Sequence, residues 1–292
     1  MNGLSIAEAT LEATQIMRRA GVPEARREAA ALLAHVIARD RTYIITHAEL
    51  ALSPSDARRF GEYVERRASG EPLQYITGRQ EFFNLDFEVT PDVLIPRPET
   101  ELLVETALGL LGASGVGVDA PPRICDVGTG SGCIAITILH ERPQAHGVGL
   151  DISAAALRVA SRNASRHQVR ERLSLAASDC FAALDPHAPP FTMIVSNPPY
   201  VTEEAYAGLQ REVREHEPRL ALTPGSQDGL DVIRRLLSEA PRFLVSGGHL
   251  LIEIGFDQHP AVRALIDTQT WELLDIHKDL QGIPRTVALR KR

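Results

Sequence analysis

Asn197-Pro198-Pro199-Tyr200 ends the short apolar run Phe191 to Ser196, and its groups suit one kind of ligand, a nitrogen with hydrogens to give. Asn197 offers a side-chain carbonyl oxygen, and Pro198 offers a main-chain carbonyl while lacking an N–H of its own. Two neighbouring acceptors match a planar –NH2 group, which has two hydrogens to donate. Tyr200 adds a face for a flat group to lie against. The two prolines hold the residues before them extended, so the exit from the run is stiff and non-helical. Asn197, Pro198 and Tyr200 are the candidate catalytic residues, and Asn197, Pro198, Pro199 and Tyr200 the candidate substrate site. A strand that merely ends in a Pro-Pro turn is the plain alternative, and a second motif bears on it.

That motif is Asp126-Val127-Gly128-Thr129-Gly130-Ser131-Gly132. The dinucleotide fingerprint G-x-G-x-x-G would need a glycine where Cys133 stands, so the pattern here is G-x-G-x-G. A pyrophosphate needs the third-glycine packing and a helix N-terminus aimed at its charge. A ligand without phosphates needs close backbone approach, which Gly128, Gly130 and Gly132 provide by lacking a Cβ. Asp151 lies 23 residues beyond Gly128, at the end of the next apolar run, where a carboxylate accepts both hydroxyls of a ribose. Asp179 ends the run after that, within reach of an adenine amino group. This ordered set fits S-adenosylmethionine better than NAD. The candidate cofactor residues are Gly128, Thr129, Gly130, Ser131, Gly132, Asp151, Asp179, Cys180, Phe181 and Asn197.

The elements that must position these groups follow from periodicity. Ile124–Val127, Val148–Asp151, Leu173–Ser178, Phe191–Ser196 and His249–Ile254 read as buried strands. Ile134–His140, Ala154–Ser165 and Gly229–Leu244 read as the helices between them, and a capped helix runs from about Glu99 to Leu111. Trp271–Ile276 and Thr286–Leu289 read as a closing antiparallel pair. Such alternation with short links predicts an α/β fold with a mostly parallel, doubly wound sheet. Residues 1–75 instead read as helices: Ser5 with Glu8 forms a capping box, Glu24–Ile37 is rich in alanine and leucine, and Pro54 sits just inside a helix start. Residues 76–97 read as a hairpin or extended linker that already begins at Gln74-Tyr75-Ile76-Thr77-Gly78, and 98–292 as the α/β domain. Arg97, between two prolines, has the look of a residue with a fixed task. Gly112–Ala120 reads as a flexible stretch.

Composition excludes several classes. With Lys+Arg 31 against Asp+Glu 38 the net charge is −7, which argues against a broad grip on nucleic acid. The ten arginines of residues 1–75 are balanced by ten acidic residues, so that segment is neutral. No apolar run reaches membrane-spanning length, and the first residues lack a signal-peptide pattern. Cys125, Cys133 and Cys180 lack metal spacing and cannot all pair. The histidines are scattered, so no metal is expected. A cytoplasmic monomer is the expectation.

The motifs together resemble class I, Rossmann-like S-adenosylmethionine-dependent methyltransferases, and more closely the HemK/PrmC family of protein-(glutamine-N5) methyltransferases. The resemblance rests on Pro72–Gly78, Ile95-Pro96-Arg97-Pro98-Glu99-Thr100-Glu101, Asp126–Gly132, Val195–Tyr200, Glu217–Leu222, Asp228-Gly229-Leu230 and Glu253-Ile254-Gly255. It implies a seven-stranded, mostly parallel sheet behind a small helical substrate-recognition domain. It also implies methylation of the glutamine in the Gly-Gly-Gln motif of peptide chain release factors 1 and 2, with S-adenosyl-L-homocysteine as product. Cofactor contacts are implied at Gly128–Gly132, Asp151 and Asn197, with Asn197–Tyr200 holding the glutamine. Where relatives often carry tryptophan after the third strand's aspartate, this chain has Cys180, followed by Phe181. Asn-Pro-Pro-Tyr also occurs in enzymes that methylate adenine amino groups. Glutamine of a ribosomal protein, adenine N6 of nucleic acid, and a non-catalytic role docking on translation factors are the competing readings.

Overall fold

The computed structural model describes residues 3–113 and 121–292, so most of the Gly112–Ala120 stretch lies outside the described residues. The chain divides into two units, residues 1–79 with 210–216, and residues 80–209 with 217–292.

The first unit is helical. It comprises α1 (Ile6–Arg19), α2 (Ala25–Ile37), α3 (Arg41–Thr46), α4 (Pro54–Ala68) and α5 (Leu73–Thr77). The Ser5–Glu8 capping box forms in both directions, and Ser53 caps α4 with Pro54 at its first position. Met17, Leu32, Leu33 and Phe60 pack its core with no measurable exposure. Gln74–Gly78 departs from the extended reading. Pro72 opens a single helical turn, and Gly78 closes it in the left-handed region with its N–H on the Gln74 carbonyl. Five residues between a proline and a glycine show too little periodicity to reveal that turn in the sequence.

Arg67 is the main polar feature of this unit. Its side chain is 5% exposed and pairs with Glu28 and with Glu212 from residues 210–216. Truncating it would leave the half-buried carboxylates of Glu28 and Glu212 without the charge that pairs them. Arg67→Ala is expected to cost about 2–4 kcal/mol, read as a lowered unfolding midpoint, and an unchanged midpoint would show that water replaces the guanidinium.

The second unit opens within a hairpin, β1 (Arg79–Phe82, entered from the first unit at Arg79) and β2 (Leu85–Glu88). Its two-residue turn, Phe83-Asn84, has φ of 51° and 59°, the paired positive φ of a primed hairpin turn. After α6 (Glu101–Ala113) come β3 (Arg123–Val127), α7 (Cys133–Glu141), β4 (His146–Asp151), α8 (Ala154–Arg166), β5 (Leu173–Ala177) and β6 (Phe191–Ser196). Three short helices follow, α9 (Glu203–Ala207), α10 (Arg211–His216, which belongs to the first unit) and α11 (Arg219–Leu222). The chain ends with α12 (Asp231–Glu239), β7 (Leu244–Glu253), α13 (His259–Leu265), β8 (Trp271–Lys278) and β9 (Pro284–Lys291).

The sheet has seven strands in the order β5-β4-β3-β6-β7-β9-β8. The first five run parallel, and β9 is antiparallel to both β7 and β8. Side chains alternate between two cores, as the pleat requires. Met193 and Val195 face the core built with α6 and α7, whereas Ile194 faces the core built with α12. Both faces of the sheet are covered, which is why the inner strands read as continuous apolar runs. The α12 helix is shorter than Gly229–Leu244 suggests, because Pro241 converts its end into a 3-10 turn. Among the described residues no helix is long and apolar enough to cross a membrane.

Candidate active site

Strand order reverses between β3 and β6, and the loops after these strands meet at a cleft of about 520 Å³. This is the crevice where ligands of open α/β sheets bind. Gly128–Ser131, Asp151, Asp179, Cys180 and Asn197–Pro199 line it. The two sequence motifs therefore face one space. Ser196 Oγ donates to the Val127 carbonyl (2.7 Å), tying the two strand ends together.

The loop after β3 is built for close approach. Gly128, Gly130 and Gly132 have φ of 75°, 55° and 83°. Gly128 and Thr129 both donate their N–H to the Leu150 carbonyl, at 2.8 and 2.9 Å. Asp126 is fully buried and accepts from Thr129 Oγ1 (2.8 Å) and from the Ala135 N–H, so it fixes the loop to the start of α7. Burial pushes its carboxyl up to about 7. Asn163 of α8 donates to the Ser131 carbonyl at 2.9 Å. Gly132 has a task different from the expected one. It does not line the cleft; a Cβ there would stand 2.7 Å from Ile136 Cδ1 and 3.3 Å from Ala160 Cβ, so it serves helix–helix packing.

Asp151 ends β4 with one oxygen on the Gly130 N–H and the other on the Ser153 N–H, both at 2.8 Å. Burial raises its pKa, against the pull of those two bonds. Each oxygen keeps a lone pair for a further donor, and the residue lines the cleft. Asp179 also lines it, but Arg235 of α12 holds its carboxylate at 2.6 Å. Cys180 forms part of the wall, in the left-handed region with φ 48°, and burial lifts its thiol to about 11. Phe181 corrects the sequence expectation. Its ring stacks on Phe243 with centroids 5.1 Å apart in the core beneath the sheet, and it does not reach the cleft. An aromatic next to the strand end points into the core because the αL turn at Cys180 rotates it there.

At the other wall, Asn197 Nδ2 donates to Thr100 Oγ1 at 3.1 Å, which leaves Oδ1 as the acceptor on offer. Glu253, the last residue of β7, lies beside Thr100. Tyr200 departs from the expected clamp. Its ring is not among the lining residues, and its hydroxyl turns inward to Glu253 Oε1 at 3.4 Å. Glu253 is 1% exposed, and burial pushes its carboxyl up to about 7. The strand exit is pinned from behind. Val201 N–H donates to the Leu222 carbonyl (2.9 Å), and Gln258 Nε2 donates to the carbonyls of Tyr200 and Asp228. Gln258 Oε1 accepts from Gly255. Nothing in the sequence around Gln258 marks it.

The Pro-Arg-Pro-Glu-Thr-Glu segment is a junction. Arg97 pairs with buried Glu217 (2.5 Å), whose other oxygen takes the Ile95 N–H. Glu101 accepts from the Phe83 N–H at the hairpin turn (2.8 Å). The task foreseen for Arg97 is thus to hold Glu217, next to the lining residue Pro218. Among the described residues no cluster of histidine, cysteine and acidic side chains has the arrangement of a metal site.

These residues fit a cofactor with a ribose and no phosphate. The loop presents backbone with positive φ, Asp151 presents two acceptor oxygens, and Cys180 and Ile152 give apolar wall. The family model described as the PrmC N-terminal domain matches residues 8–78, and the methyltransferase small domain matches residues 113–224. A solved methyltransferase from Pyrococcus furiosus shares the fold, with TM-score 0.52 and 16% identity over 79% of this chain and 98% of its own. The release factor glutamine methyltransferase of Cereibacter sphaeroides is 42% identical over 97% of this chain and 98% of its own length. That of Nitratidesulfovibrio vulgaris is 41% identical over 100% of this chain and 98% of its own. A likeness of this extent, running through the helical segment as well as the cleft, shows that the chain belongs to the release factor glutamine methyltransferase family.

Proposed function

We propose that this chain methylates the side-chain amide nitrogen of a glutamine in peptide chain release factors, that of the Gly-Gly-Gln motif, using S-adenosylmethionine. The observation that carries the reading is the polarity of Asn197: its NH2 donates to Thr100, which leaves Oδ1 as an acceptor for a nitrogen that enters the cleft. When bound, the cofactor supplies a methyl group made electrophilic by its sulfonium. Gly128, Thr129, Gly130 and Ser131 would hold its chain, and Asp151 its ribose, with Asp179 and Cys180 on the adenine side.

An amide nitrogen is a weak nucleophile because its lone pair is delocalised into its own carbonyl. Asn197 Oδ1 and the Pro198 carbonyl accept its two N–H groups and favour pyramidal geometry as it attacks. Positive charge then accumulates on nitrogen, facing two fixed dipoles, the inverse of an oxyanion hole. Orientation by the stiff Pro-Pro exit supplies much of the remainder. The helical first unit is assigned the recognition of the release factor.

Labelled methyl transfer tests the reading, with release factor, ribosomal protein and adenine-containing DNA offered in parallel. Label in release factor, lost when its Gly-Gly-Gln glutamine is changed, is the expected result. Label only in DNA or ribosomal protein overturns the substrate. The cofactor assignment has its own check. Asp151→Ala is expected to weaken S-adenosylhomocysteine binding about 10- to 100-fold, the loss of a charged acceptor, measured by calorimetry; wild-type affinity would remove Asp151 from the ribose.

A further inference from the structure

We propose that Arg235 is a positioning residue for the cofactor's base: its guanidinium fixes the Asp179 carboxylate so that the site accepts from the 6-amino group of adenine and rejects a base with a carbonyl there. The inference rests on the proposed S-adenosylmethionine reading of the cleft.

The base end of the cleft follows from strand register. Asp151, the proposed ribose acid, lies opposite Ala177 of β5, and the Ser178 N–H donates to the Asp151 carbonyl at 2.9 Å. Asp179 is the next residue. The glycine loop lies on the other side of Asp151, after β3, so a base attached to a ribose at Asp151 falls beside Asp179 and Cys180. The backbone here is fixed. Ser178 Oγ donates to the Cys180 carbonyl (2.7 Å) and accepts from the Ala183 N–H (3.0 Å), and the Ala182 N–H donates to the Asp179 carbonyl (3.2 Å). What remains to be set is the Asp179 side chain, which is 61% exposed. Arg235 of α12 sets it. Its Nη1 donates to Asp179 Oδ1 at 2.6 Å and its Nη2 to the Asp179 carbonyl at 3.3 Å. Its Nε donates to Glu239, one turn further along α12, at 3.2 Å. The guanidinium is itself anchored, and it grips Asp179 by side chain and main chain together. Both residues line the cleft.

An exposed ion pair contributes little strength, and the value of this one is direction. Adenine presents a 6-amino donor beside the N1 acceptor on its outer edge. Hypoxanthine presents the reverse, a carbonyl acceptor at C6 and an N1–H donor. A carboxylate free to swing finds a donor on either base. One held opposite the C6 substituent meets a donor on adenine and an opposing oxygen on hypoxanthine. With Nη1 on Oδ1, Asp179 Oδ2 is the acceptor on offer. A planar fork suits the task, because it can hold a carboxylate and a carbonyl at once, which the point charge of a lysine cannot. Cys180 gives the base a small apolar contact where a ring would stack, and Phe181 packs in the core. The edge of the base therefore carries more of its recognition.

The test is calorimetric binding of S-adenosylhomocysteine and of its analogue with hypoxanthine in place of adenine, to wild type, Arg235→Ala, Arg235→Lys, Asp179→Ala and the double variant Arg235→Ala with Asp179→Ala. Wild type should prefer the adenine ligand about 10- to 100-fold, the worth of a hydrogen bond to a charged group. In Arg235→Ala the adenine ligand should weaken only about 2- to 5-fold, as for loss of an exposed pair. The preference, however, should shrink to within about threefold, since the freed carboxylate can reach the N1–H of hypoxanthine. Arg235→Lys should lose most of the preference as well. Asp179→Ala should abolish it, and adding Arg235→Ala to that variant should change it no further, because the arginine acts through the carboxylate. A merely structural role for Arg235 would lower the melting midpoint and weaken both ligands together, leaving their ratio intact. That result, a ratio preserved in Arg235→Lys, a further change in the double variant, or a wild type that binds both ligands alike overturns the proposal. Wild type that binds neither ligand overturns the cofactor reading itself, and this inference with it.

Discussion

Asn197→Ala is expected to lower turnover by about 10²–10³-fold, the cost of one preorganised polar contact to developing charge. The argument is local. In the proposed mechanism Asn197 Oδ1 is one of two acceptors for the nucleophile, and the other, the Pro198 carbonyl, belongs to the backbone and survives the change. The mutant keeps Gly128–Ser131 and Asp151, so S-adenosylhomocysteine should bind nearly as well and the loss should appear in kcat. Alanine also strands the Thr100 hydroxyl oxygen, which loses its donor in a buried site. Single-turnover methylation of release factor separates the two effects, because it reads the chemical step directly. Turnover near the wild-type level would remove Asn197 from the mechanism, and a loss matched by weaker cofactor binding would make it a cofactor residue alone.

The parts of this molecule that are legible in the sequence are those fixed by short-range pattern. The strand Phe191–Ser196 begins and ends where its mostly apolar run does, because a strand buried on both faces carries few polar residues and the Asn-Pro-Pro that follows ends it. The glycine loop and Asp151 are legible because a tight turn and a strand-end acid are separated by one βαβ unit. The hairpin is legible from its aromatic run, though not its turn, since Phe83 at positive φ is a poor advertisement for one. Thr100, Glu253 and Gln258 are a different case. Thr100 and Asn197 are 97 residues apart and meet only when the sheet has formed. Phe181 and Tyr200 were expected at the cleft because an aromatic beside a binding motif suggests stacking. Each instead obeys packing: Phe181 completes a ring stack, and Tyr200 sends its hydroxyl to a buried carboxylate. Side-chain direction after an irregular turn depends on backbone angles that the sequence pattern does not carry.

Gly229→Ala should damage both the fold and the reaction, although Gly229 is not among the residues that line the cleft. Its φ is 68°, and a Cβ there would lie 2.2 Å from the Tyr200 carbonyl oxygen and 3.0 Å from Gln258 Nε2. The obstacle is backbone, so it yields only if the strand exit moves. That same carbonyl accepts from Gln258 at 3.1 Å, so displacement also breaks the clip holding Tyr200 to Asp228 and Gly255. Pro198 and Pro199 transmit the shift to Asn197, since neither has a flexible φ to absorb it. Left-handed strain and the lost clip together are expected to cost about 2–4 kcal/mol. Misplacing the acceptors by about 1 Å should lower kcat about 10²-fold. Gly225→Ala is the control, because Gly225 also has positive φ, 80°, with nothing within 4 Å of its would-be Cβ. It should pay only the left-handed penalty of about 1 kcal/mol and keep its turnover. Melting curves and kcat for the two variants settle the point: if Gly229→Ala behaves like Gly225→Ala, the strand exit is not held from behind, and the stiffness of the two prolines alone must place Asn197.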